Sequence, residues 1–188
     1  MKKTLAIATL LALITTSVNA RWGHHGQQGN RNSSVIEQVS TTQVATELTD
    51  EQKENLIFMY QEEKLARDVY ITLGNIWNSR VFKNIQKSEQ KHMNSVKYLL
   101  DNYNIPTPVL SDDIGVFENE ELQALYNELI EKGSQSLQDA LEVGVAIEEK
   151  DIADLEEKIE DAPSDVQRVF NNLLRGSYNH LKAFNSKL

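Results

Sequence analysis

The sequence predicts an all-α protein, a four-helix bundle with one long crossover that contains a short extra helix. Three observations predict it. Apolar residues recur at steps of three and four from Thr49 almost to the C terminus, and no segment alternates as a strand would. Two stretches look like copies of one another: Glu62-Glu63-Lys64 precedes Glu89-Gln90-Lys91-His92, and Glu148-Glu149-Lys150 precedes Ser177-Tyr178-Asn179-His180. The spacing is 30 residues from Glu62 to His92 and 32 from Glu148 to His180, so each half offers a carboxylate on one helix and a histidine on the next. Between the halves lies a connection of about thirty residues, too long for a simple up-and-down bundle and suited to a crossover.

Taken in order, Met1-Lys2-Lys3, the apolar run from Leu5 to Ile14 and the small-residue pattern Val18-Asn19-Ala20 read as a secretory signal over residues 1–20, cleaved after Ala20. The run is far short of the ~20 apolar residues a membrane span needs. A periplasmic or secreted location is expected, with no membrane span after cleavage. Residues 21–48, rich in Gly, Gln, Asn, Ser and Thr, read as a disordered tail. His24 and His25 within it are two histidines without a scaffold, read as linker rather than as ligands.

The helical domain spans residues 49–188. Thr49 and Gln52 form a capping box that starts a first helix running to about Gly74, with Leu56, Met59, Ala66, Val69 and Leu73 along one stripe. A second helix, from about Arg80 to Asn102, turns Val81, Ile85, Val96, Leu99 and Leu100 inward. Pro106 and Pro108 then exclude regular helix. A shorter helix from about Asn119 to Lys132 ends at Gly133, and the third long helix covers Ser136 to Glu160 with Leu141, Val145, Ile152, Leu155 and Ile159 on one face. The fourth starts at a capping box formed by Ser164 and Gln167 and runs through Val169, Leu173, Leu181 and Phe184. This connectivity is ferritin-like.

Composition narrows the chemistry. There is no cysteine, which excludes disulfides and thiolate-ligated metals. The full chain carries 19 Lys and Arg against 28 Asp and Glu; without Lys2 and Lys3 the balance is 17 against 28, a net charge of −11. Such a surface repels phosphate backbones, so nucleic acid is not an expected partner. Most of these carboxylates are solvated helix faces.

The informative ones interrupt the apolar stripes. Glu148 falls where the series Leu141, Val145, Ile152 demands a hydrophobe, and Glu62 and Glu63 interrupt the first helix in the same way. A carboxylate in such a place is costly unless it is paired, hydrogen-bonded or bound to a metal. Glu89 and His92 stand one turn apart on one face, so an oxygen and an imidazole can reach one ion together. Carboxylates and imidazoles without thiolate suit iron, manganese or zinc. The metal-free reading is that Lys64, Arg67, Lys91 and Arg175 neutralise the same glutamates in a buried network. Tyr60, Tyr70 and Tyr178 either line the centre or serve as core aromatics.

The segments Glu62-Glu63-Lys64-Leu65-Ala66-Arg67-Asp68-Val69-Tyr70, Ser88-Glu89-Gln90-Lys91-His92-Met93, Ile147-Glu148-Glu149-Lys150-Asp151-Ile152 and Gly176-Ser177-Tyr178-Asn179-His180-Leu181 resemble a ferritin-like family known only as an uncharacterised bacterial domain, domain of unknown function 2202. More distantly, Glu63 with Ala66, Arg67 and Tyr70 is similar to the first metal-binding helix of rubrerythrin. The resemblance covers about residues 50 to 186 and implies a ferritin-like bundle with a di-iron or related centre, but no named reaction. Carried over, the ligands are Glu63 or Glu62, Glu89 and His92 in the first half and Glu148 and His180 in the second. The ferritin-like plan asks for a Glu-x-x-His on two of its helices. Ser177 stands where the second such Glu belongs, and Asp151, one turn after Glu148, is the candidate to compensate.

The expected metal ligands are therefore Glu62, Glu63, Glu89, His92, Glu148, Asp151 and His180. The expected cofactor is iron, as a di-iron or mononuclear centre, or manganese, with chemistry toward oxygen or peroxide left open. The alternative is a metal-free helical interaction domain that retains the fold. The metal ion is the expected partner. A homodimer is the association that bundles of this class commonly form, although no residue pattern signals it.

Overall fold

The computed structural model describes residues 47–188. The expected signal at 1–20 and the tail histidines His24 and His25 lie outside the described residues. Five helices follow in order: α1 (Asp50–Ile76), α2 (Arg80–Asn102), α3 (Glu120–Gly133), α4 (Leu137–Ile159) and α5 (Ser164–Asn185). Among the described residues there is no strand, and no helix is long and apolar enough to cross a membrane. α1 packs along α2 and α4 along α5, while α3 lies against α1 and α4.

Local chemistry explains where the helices start. Thr49 accepts the Gln52 N–H at 3.1 Å while the Gln52 side chain accepts the Thr49 N–H at 3.0 Å, which completes the expected capping box of α1. Asn119 caps α3 and Ser136 caps α4 through their side chains. The expected capping box of α5 does not form. Pro163 takes the N-cap position, so Ser164 is already helical, and Gln167 sends its side-chain amide to the Ile159 carbonyl at 3.2 Å. A proline there fixes the extended entry that a capping side chain would otherwise hold. The boundary of the tail also shifts: Leu48, expected as its last residue, is 4 % exposed and packs with Leu56 and Met59.

The segment between α2 and α3 is pinned by a buried ion pair. Lys64 and Asp68, one turn apart on α1, meet at 2.5 Å with both side chains enclosed. Lys64 also donates to the Val116 carbonyl at 3.2 Å and lies over the Phe117 ring, while Asp68 accepts the Gly115 N–H at 3.0 Å. Gly115 has φ of +76°, and a Cβ there would fall 2.4 Å from the Tyr126 ring, so both backbone and packing require glycine.

The apolar interior divides into two clusters. One gathers Val69, Tyr70, Leu73, Phe82, Val143 and Phe184; the other gathers Leu56, Met59, Val96, Leu100, Leu155 and Phe170. Each of the four long helices contributes to both. Along each helix the sequence between its two contributions holds buried polar residues: Glu63 on α1, Glu89 and His92 on α2, Glu148 on α4, and Ser177 and His180 on α5. A polar layer therefore sits between two apolar ones.

Candidate metal centre

Glu89 is the hub of this layer. One of its oxygens, Oε2, lies 2.8 Å from Nδ1 of His92, one turn further along α2; the other, Oε1, lies 2.9 Å from Nδ1 of His180 on α5. Glu63 Oε2 approaches His92 Nδ1 at 3.3 Å and Glu148 Oε2 approaches His180 Nδ1 at 3.5 Å. Two groups result, Glu63 with Glu89 and His92, and Glu89 with Glu148 and His180, each offering three atoms within 4.8 Å of one another. The carboxylates are 2 % exposed and the histidines 8 %. The imidazole rings stack with centroids 5.6 Å apart.

These are close approaches between charge-bearing groups, and their angles fall short of full hydrogen bonds. Both Nδ1 atoms, together with Glu63 Oε1 and Glu89 Oε1, are enclosed yet lack a partner of acceptable geometry among the described residues. With ligand bonds of about 2.1 Å, neighbouring donors around one ion stand about 3.0 Å apart at a right angle and about 3.4 Å at the tetrahedral angle. The four contacts fall in or beside that range. Nor does any Lys or Arg among the described residues pair with Glu63, Glu89 or Glu148; Lys64 and Arg67, the neutralisers of the metal-free reading, both bind Asp68. Buried carboxylates and imidazoles so arranged can hold a metal ion.

Without an ion, protons must balance the charge. Burial pushes Glu148 up to about 8, and burial with the charge of Asp151 holds Glu63 well above the usual carboxylate range. Burial acts upward on Glu89 as well, but the two imidazoles outweigh it and bring that carboxyl down to about 2. The histidines show the converse. Burial lowers them, yet Glu63 and Glu89 raise His92 to about 11, and Glu148 and Glu89 raise His180 to about 9. Tyr70, buried beside the centre, donates to Glu148 Oε1 at 2.7 Å and fixes that carboxylate's orientation.

Two of the expected ligands lie to one side. Glu62 turns toward Lys150 at 3.9 Å, and Lys150 pairs in turn with Asp154. Asp151 is partly exposed and accepts a hydrogen bond from the Ser177 hydroxyl. Of the three tyrosines, Tyr70 touches the centre, Tyr60 packs in the second apolar cluster, and Tyr178 is exposed and bonded to Glu156. Sequence reasoning missed Gly176: a Cβ there would fall 2.6 Å from His92 Nε2, so the bare backbone makes room for the imidazole. The available signal was a glycine inside a helix, which costs about 1 kcal/mol relative to Ala without a packing reason.

Residues 52–188 match the uncharacterized protein domain DUF2202. The chain belongs to that family. Another of its relatives is an uncharacterized protein, MJ0754, of Methanocaldococcus jannaschii, 55 % identical over 138 residues that make up 73 % of this chain and 75 % of the relative. A crystal structure described as hypothetical protein MJ0754 from Methanococcus jannaschii aligns with a TM-score of 0.70 at 52 % identity, over 81 % of this chain and 83 % of that one. This DUF2202 chain thus has a solved relative in its fold, and neither description names an activity.

Proposed function

We propose that this is an exported, ferritin-like protein that binds iron or a related divalent metal such as manganese in the core of its helical bundle. The single observation that carries the reading is the polar layer itself: three carboxylates and two imidazoles, enclosed between apolar clusters, with unpartnered donor atoms facing one another at coordination spacing. Glu63 from α1, Glu148 from α4 and Glu89-x-x-His92 from α2 match three parts of the ferritin-like ligand plan, and His180 with Ser177 on α5 matches the fourth except for its carboxylate. Export rests on the signal-like first twenty residues.

The roles divide by position. Glu63 and His92 would hold one ion, Glu148 and His180 a second, and Glu89 would give one oxygen to each. A redox-active ion bound there supplies one-electron chemistry toward oxygen or peroxide. The chain contributes the acceptor Glu148, steadied by Tyr70, and the surrounding apolar clusters exclude water from the ligand atoms. Elemental analysis of protein purified without chelators tests the reading. Near-stoichiometric iron or manganese that disappears in Glu89→Gln and His92→Ala is expected; protein free of metal that takes up none on reconstitution refutes it.

A further inference from the structure

Charge is divided unevenly among the five helices. α2 carries five Lys and Arg against two Asp and Glu, and α5 three against one, whereas α1, α3 and α4 together carry six against eighteen. Pairing follows the same division. Every Lys and Arg of α1, α3 and α4 forms an ion pair within the chain. Of the eight on α2 and α5, Lys97 alone does so among the described residues. The unpaired cations stand in rows. Arg80, Lys87 and Lys91 on α2, and Arg168, Arg175 and Lys182 on α5, recur at steps of four and seven, and all six are exposed. That spacing keeps each row on one side of its helix, opposite the buried residues. Tyr98, 63 % exposed, continues the α2 row seven residues past Lys91.

The two rows share one face. α2 and α5 pack together and run antiparallel, since the Tyr103 hydroxyl reaches Asp165 at one end and Phe82 meets Phe184 at the other, while α3 packs on α1 and α4 instead. The candidate centre meets solvent through the same two helices. Its carboxylates are 2 % exposed, but the side chains of His92 on α2 and His180 on α5 are 11 % and 10 % exposed although their Nδ1 atoms are enclosed. We propose that the outer face of α2 and α5 docks an acidic one-electron carrier protein, which delivers electrons to the centre past His92 and His180. The inference rests on the metal-binding reading above and names a partner for it. Seven cations without internal partners repel free divalent ions and attract an anionic surface, and Arg and Tyr are residue types enriched at protein interfaces. The chemistry also asks for a carrier. Reducing one hydrogen peroxide to two waters consumes two protons and two electrons, and this chain has no cysteine in which to store electrons. Two reduced carriers, each losing one electron, balance the step; an anionic lipid surface would match the charge but supplies none.

Calorimetric titration of the full chain with plant-type ferredoxin, an acidic one-electron carrier, tests this at low and high salt. Wild type should bind it, more weakly as salt rises. Lys91→Glu combined with Arg175→Glu should weaken binding at least tenfold, while Glu149→Lys combined with Glu157→Lys, on the exposed side of α4, should leave it no weaker than wild type. Melting monitors folding, and if the first pair melts early, Lys87→Glu with Lys182→Glu decides by the same criterion. Ferredoxin that fails to bind, or binds alike to wild type and the deciding variant, overturns this inference alone. Vesicles of phosphatidylglycerol that bind where ferredoxin does not overturn it too, and assign the face to a membrane. Wild-type protein that takes up no Mn2+, Fe2+ or Zn2+ overturns the metal-binding reading and electron delivery with it.

Discussion

Replacing Glu89 and Glu148 by glutamine in metal-free protein should change stability in opposite directions. Glutamine mimics the protonated carboxyl, so the effect at pH 7 follows from what each pocket does to the ionised form. Glu89 is brought from 4.5 down to about 2, a shift equivalent to about 3 kcal/mol in favour of the folded, ionised state. That contribution is present above the ordinary carboxylate pKa and is lost as the pH falls toward 2. Glu148 is raised to about 8, so its contribution is complete below about pH 4.5, erodes above that, and is gone by about pH 8. At pH 7 its folding carries a penalty of about 3 kcal/mol that glutamine removes. In urea denaturation with chelator present, Glu89→Gln should therefore lose about 3 kcal/mol and Glu148→Gln should gain a similar amount. Adding metal separates them again, since Glu89→Gln lacks the shared ligand of both positions while Glu148→Gln lacks one ligand of one. Equal losses for the two variants would refute the electrostatic picture of the centre.

Three further outcomes follow from the same geometry. Glu148, His180 and His92, with values of about 8, 9 and 11, hold protons at pH 7 that an arriving ion must displace. Calorimetry in buffers of different ionisation enthalpy should show at least about three protons released on full loading, with affinity rising from pH 6 to pH 9; buffer-independent heats would contradict this. Gly176→Ala places a methyl 2.6 Å from His92 Nε2, so metal affinity should fall at least tenfold although alanine favours the helix; wild-type affinity would show that the ring moves freely. Asp68→Asn breaks an enclosed pair with Lys64 and frees the Gly115 turn, at a cost of about 3–5 kcal/mol in urea denaturation. A loss below 1 kcal/mol would mean that the segment between α2 and α3 is held elsewhere.

How much of this was legible in the sequence depended on the range of the interaction that decides each feature. The Thr49 and Gln52 box is set by residues three apart, and the pattern shows it. Ser164 misled because the same pattern does not reveal that Pro163 already holds the N-cap conformation. Glu62 and Glu63 could not be separated, since adjacent helix positions point about 100° apart and the surrounding stripe is broad enough to admit either. Only the packing of α4, which brings Lys150 to Glu62, distinguishes them. Lys64 is the largest surprise: a lysine beside two site glutamates reads as their counterion, yet contacts 49 and 52 residues away, at Asp113 and Val116, claim it for the segment between α2 and α3.

That reassignment bears on how the chain balances its buried carboxylates. The chain has other carboxylates enclosed in its interior, and it pairs them with its own cations. Asp68, fully enclosed, takes both Lys64 and Arg67. Asp154, 7 % exposed, takes Lys150 and lies 3.8 Å from Lys158. Lysine and arginine are thus available within one or two turns of the centre and have been directed elsewhere. Glu63, Glu89 and Glu148 are left with imidazoles alone, the one basic side chain that can give up its proton and become a ligand near neutral pH. Three carboxylates around two such groups form a set that a structural ion-pair network has no need to keep free of lysine, and that a bound divalent ion requires to be so. Introducing a lysine at Ser177 should therefore neutralise the centre and abolish metal uptake while preserving the helical fold, an outcome readable by circular dichroism alongside elemental analysis.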